Sequence, residues 1–84
     1  MDFKILGKIR KIRLIAENKK IRILPFLIES YGKGHWRKLS GEVPVLDCGE
    51  NYVAEVHYYE APGLGRFDLK IIDKIRDVDK EDLL

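Results

Sequence analysis

Between Tyr52 and Tyr59 the chain alternates without a slip, with Tyr52, Ala54, Val56 and Tyr58 on one side and Val53, Glu55, His57 and Tyr59 on the other. A period of two puts successive side chains on opposite faces of a sheet. This segment is therefore a strand, and its partners must come from the same 84 residues. Phe3, Ile5, Gly7 and Ile9 alternate in the same way, slip after Arg10 and Lys11, and resume with Ile12, Leu14 and Ala16. That pattern predicts a long strand carrying a β-bulge, with Gly7 easing the bend. Glu17 to Lys20 reads as a turn of hairpin length. The almost continuously apolar run Ile21 to Ile28 reads as a second strand, which Pro25 confines to an edge or a bulge. Val43 to Leu46 is a short strand, Cys48 to Asn51 a turn, and Ala61 to Gly65 a loop dense in glycine and proline. Arg66 to Ile72, extending as far as Ile75, is the last strand.

Five or six strands and no helix of convincing length predict an all-β fold, a small closed or nearly closed β-barrel of mostly antiparallel strands, because closure removes exposed sheet edges. One domain is expected over residues 1–76. Residues 77–84 are expected to form an acidic tail, frayed or wound into a short helical turn, rather than the acidic dileucine signal that Asp79 to Leu84 superficially resembles. A chain this short has room for one core and no deep substrate cleft. No apolar run approaches the roughly 18–20 residues that span a bilayer, and no secretory signal is evident. A single cysteine, Cys48, fits a reducing cytoplasmic setting. Charged residues make up 36% of the chain, and Gln and Thr are absent beside ten Ile. That bias is the one expected of a heat-adapted protein.

The net charge of +2 conceals a strong asymmetry: residues 1–41 carry +8 and residues 42–84 carry −6. Two outcomes are open. Either the basic half forms a face that meets an anionic partner, or strands from the two halves pair and neutralise each other across the sheet.

Catalytic chemistry finds little to work with. Cys48, Ser30 and Ser40 are the candidate nucleophiles and His35 and His57 the only histidines, and no signature spacing links them. His35, Cys48 and His57 lack the two-to-four-residue spacing of a structural zinc site, so neither metal nor cofactor is expected. Gly32-Lys33-Gly34 lacks the later positions of a phosphate-binding loop, and no small-molecule substrate is evident. His57, on a strand, reads as a surface or rim histidine.

The stretch Gly32 to Pro44 is richer. Lys33, His35, Arg37 and Lys38 surround Trp36, and Lys8, Arg10, Lys11, Arg13, Lys19, Lys20 and Arg22 supply further positive charge. Cations beside an aromatic ring are what single-stranded nucleic acid binding requires. The residues expected to contact RNA or another anionic partner are Lys33, His35, Trp36, Arg37, Lys38, Arg10, Lys11 and Arg13. For Trp36 two readings stand side by side: a ring that stacks a base, or the plug of the barrel core.

Three landmarks add a resemblance. Gly32-Lys33-Gly34-His35 leading to Ser40-Gly41-Glu42-Val43-Pro44, then Gly49-Glu50-Asn51-Tyr52-Val53, then Gly65-Arg66-Phe67-Asp68-Leu69-Lys70, resemble in order the third, β-barrel domain of elongation factor Tu and related translation GTPases. Gly34 stands where that family has an arginine, and these residues hold no counterpart of the GTPase domain. The resemblance implies a barrel with an RNA or protein docking role near His35. The expected function is thus a non-catalytic binding module for RNA. The alternative is a protein-interaction or self-associating domain in which the basic half of one chain meets an acidic protein surface, including the acidic half of another copy.

Overall fold

The computed structural model describes residues 3–83. Five antiparallel strands, β1 (Phe3–Ile5), β2 (Arg10–Glu17), β3 (Arg37–Asp47), β4 (Glu50–Ala61) and β5 (Gly65–Asp77), form one sheet, with a helix α1 (Leu24–Tyr31) between β2 and β3. The sheet runs β1-β3-β4-β5, and β2 pairs with the same edge of β3 as β1 does. It curls strongly into a half-barrel that is not fully closed. No ladder joins β2 to β5 among the described residues.

The centre is the β3–β4 hairpin, in unbroken register from Arg37 opposite Glu60 to Asp47 opposite Glu50. Its turn is the Cys48-Gly49 pair, both at positive φ, the two-residue geometry whose twist matches paired strands. Leu39, Val43 and Val45 face Tyr58, Ala54 and Tyr52 in this register and form one core, over which Phe3, Ile9, Leu69 and Ile71 close. Tyr52 donates a hydrogen bond to Asp47 Oδ2 at 2.7 Å. That bond, with burial, pushes its phenol up to about 12.

The long bulged strand expected at the N-terminus is two strands separated at Leu6–Ile9. The cause lies in β3. Pro44 has no N–H to donate, and antiparallel pairing aims a residue's N–H and C=O at the same neighbour. Pro44 O accepts from Leu6 N at 2.9 Å, so the missing donor faces the place where the ladder breaks. Gly7 is required there because a Cβ would lie 2.9 Å from Pro44 Cγ and 2.8 Å from the Asp82 carbonyl oxygen.

The strand expected over Ile21 to Ile28 is instead turn and helix. Pro25 sits in the first turn of α1, where its fixed φ helps and its missing N–H costs nothing. Leu24, Leu27, Ile28 and Tyr31, at helical spacing, pack into a second core with Ile21, Trp36 and Ala61. Val43 to Leu46 proves to be part of β3, which begins at Arg37. The acidic segment is also ordered: Lys80–Leu83 is a 3-10 turn, and Asp82 is buried.

Gly41 makes a testable demand. An added Cβ would lie 2.4 Å from Ile9 Cγ2 and 3.2 Å from the Arg10 carbonyl oxygen. Neither a β-branched stem nor a backbone oxygen yields cheaply, so Gly41→Ala is expected to lower stability by about 1–3 kcal/mol, read as a lower urea midpoint with an unchanged slope.

Candidate nucleic-acid interface

The eight residues expected to form one site are divided by the fold. Trp36 is fully buried, tilted against Tyr31 and Phe67, and its indole N–H donates to Gly32 O at 2.9 Å. It is the plug of the second core and is not available to stack a base. Arg37 is bound to Glu60, which also holds Arg66 at 3.6 Å. Arg10 and Lys11 lie toward the C-terminal turn, with Arg10 opposite Glu42 in the ladder and Lys11 3.8 Å from the Glu42 carboxylate. Lys33 and His35 are exposed on the loop between α1 and β3.

That loop is held from β2's side by a residue the sequence did not single out. Asn18, at φ 44°, a conformation asparagine tolerates better than most, accepts from Trp36 N through Oδ1 at 3.0 Å. Its backbone N–H donates to Trp36 O at 2.9 Å, and its Nδ2 lies 3.2 Å from His35 Nδ1. His35 Nε2 is 3.8 Å from Glu17. The histidine is thereby tied down as part of the loop's frame.

Lys38 and Arg13 are placed differently. Lys38 lies over the Tyr59 ring, 5.9 Å from its centroid. With Lys20, Arg22, Ile15, Ile23 and Tyr59 it lines a groove of about 290 Å³ that contains no carboxylate. Among the described residues no acid pairs with Lys20, Arg22 or Lys38. Ile15 also borders an adjoining groove of about 320 Å³ that includes Arg13, His57 and Glu55. Cation, aromatic face and apolar floor thus run together along β2. Lys20 and Arg22 were visible in the sequence as positive charge. Their convergence on Lys38 and Tyr59 was not, because it depends on the turn after β2 folding back toward β3.

Of the residues considered for catalysis or zinc, Ser30 lies on α1 and the others lie on or beside the β3–β4 hairpin. His35 precedes β3 and Cys48 follows it, so eleven strand residues separate them, about 35 Å of extended chain. Ser40 is opposite His57 in the ladder, and His57 Nε2 lies 3.2 Å from Glu55. No hydrogen bond joins Ser40 to His57 among the described residues. No described helix is long and apolar enough to cross a membrane.

Asn18→Ala removes both side-chain contacts and leaves the partly buried Trp36 N–H unpaired. The expected cost is about 1–3 kcal/mol, with increased amide exchange across residues 33–36. The chain matches no protein-family model, no curated protein and no solved structure.

Proposed function

We propose that this half-barrel is a non-catalytic binding module for single-stranded RNA, and that the groove of Lys20, Arg22, Lys38 and Tyr59 is where it binds. The observation that carries this reading is the grouping of three uncompensated cations around an aromatic face in a groove free of carboxylate. Two other cations of the basic half are paired with acids of the second half, Lys11 with Glu42 and Arg37 with Glu60. Positive charge that survives folding without a partner is what attracts phosphate, and an aromatic face is what accepts bases irrespective of sequence. The resemblance to the elongation factor Tu barrel supports an RNA or protein docking role, although here the groove and not His35 carries it.

The test is fluorescence anisotropy of a labelled oligouridine. Binding is expected to weaken with salt, with a log–log slope of about −2 for three phosphate contacts to a single strand. The triple variant Lys20→Ala, Arg22→Ala, Lys38→Ala should abolish the salt dependence. Tyr59→Leu, which keeps the apolar packing, should cost about fivefold or more. No binding at low salt, or a triple variant that binds like the parent, overturns the proposal.

A second reading, self-association, is favoured by one observation. Ile12, Leu14 and Ile15 on β2 and Ile72 and Ile75 on β5 are all more than 40% exposed along the two unpaired edges. Under that reading sedimentation shows an oligomer that Ile72→Lys with Ile75→Lys dissociates; a monomer at all concentrations removes it.

A further inference from the structure

At the far end of the outer face from α1, the chain closes on itself through an acid. Asp82 is 7% exposed. Arg76 grips it with two hydrogen bonds, Nη1 to Oδ2 and Nη2 to Oδ1, both 2.6 Å, and Asp79 N donates to Oδ2 at 2.8 Å. The cavity beside this carboxylate, about 110 Å³, is lined by Lys8, Arg10, Lys11 and Arg76 together with Glu42, Pro44 and Val53. Glu42 is the one other acid in that lining, and Lys11 lies 3.8 Å from it. The forked arginine bond that holds Asp82 is the geometry that binds a phosphate group, and three further cations border the same space. A lone structural ion pair would need only Arg76. The guanidinium and the backbone donor hold Asp82 well below the usual carboxylate range, so it stays an anion at any physiological pH.

We infer that Arg76, Arg10, Lys8 and Lys11 form a phosphate site that the chain's own Asp82 occupies, and that a phosphate of bound RNA displaces the C-terminal turn from it. The site lies apart from the Lys38 groove. The identity of its displacing ligand rests on the RNA reading, while the existence of the site does not. Displacement is local: the 3-10 turn Lys80–Leu83 is held to the sheet by the Arg76 grip and by Gly7 packing at the Asp82 carbonyl oxygen, and a short turn with so few anchors opens at low cost.

The probe is inorganic pyrophosphate, with unfolding followed by Trp36 fluorescence in the parent, in Asp82→Asn, and in Glu81→Gln as a control for net charge. Pyrophosphate at ten times its dissociation constant should raise the midpoint of Asp82→Asn by about 6 °C or more, and that of the parent and Glu81→Gln by less than half as much. Adding Lys8→Ala and Arg10→Ala to Asp82→Asn should erase the gain. Equal shifts in all three proteins, or a gain that survives loss of Lys8 and Arg10, overturn the site. If Asp82→Asn does not fold, amide exchange in the parent decides. Bound pyrophosphate should reduce protection at Asp79 and Asp82, and unchanged protection overturns the proposal. With oligouridine, Asp82→Asn should bind about fivefold more tightly than Glu81→Gln. If pyrophosphate discriminates and neither variant nor parent binds RNA, the RNA reading fails and displacement by RNA fails with it, while the phosphate site stands. If RNA binds the parent and pyrophosphate does not discriminate, the RNA reading stands and the phosphate site falls.

Discussion

Everything in this molecule hangs on the β3–β4 ladder, because it runs in unbroken register and both of its faces are put to use. Leu39, Val43 and Val45 pack inward with Tyr52, Ala54 and Tyr58. On the other face the same hairpin ends in Tyr59 and Ala61, where α1 and Trp36 settle. A strand buried on one face alternates apolar with polar, and a strand used on both has few positions left for charge. β3 keeps its charge at its two ends, Arg37, Lys38 and Asp47, and at Glu42. Arg37 and Glu42 are engaged by acid or base in neighbouring strands, and Lys38 overhangs the groove.

The open seam follows from the same economy. β2 is exposed over nearly its whole length, and β5 carries three register shifts against β4. Bulges twist an edge away from further pairing, and flanking Lys, Arg and Asp make that edge unattractive to another strand. The two edges are thus protected without being joined. The barrel stays a half-barrel, with grooves along β2 that a closed barrel of the same strands would have filled with side chains.

Charge is organised by this geometry and not by position in the sequence. The basic first half and the acidic second half meet across strands, so that Glu60 gathers Arg37 and Arg66, and Glu42 takes Lys11. Lys20, Arg22 and Lys38 are left together in one groove without a carboxylate. Exposed pairs of this kind add little stability individually. Their consequence is for recognition, since they decide where a positive field survives.

The residues themselves determined the all-β class, the Tyr52–Tyr59 strand and its inward set, the Cys48-Gly49 turn and the breaks at Ala61 to Gly65, because alternation and turn chemistry are local properties that a short window contains. They also contained the helix, in the spacing of Leu24, Leu27, Ile28 and Tyr31. An apolar run next to a proline reads equally well as an edge strand, and only the second core, which rewards a three-and-four spacing, chose between them. The fate of Trp36 was open in the sequence for the same reason: an indole among cations suits a base or a core, and burial under α1 with Asn18 clamping its backbone made it core. Which cations would stay unpaired, and that Asp82 would reach back to Arg76 across the turn after β5, only the tertiary structure decided, because pairing of charges distant along the chain depends on register and curl, which no segment of the sequence carries alone.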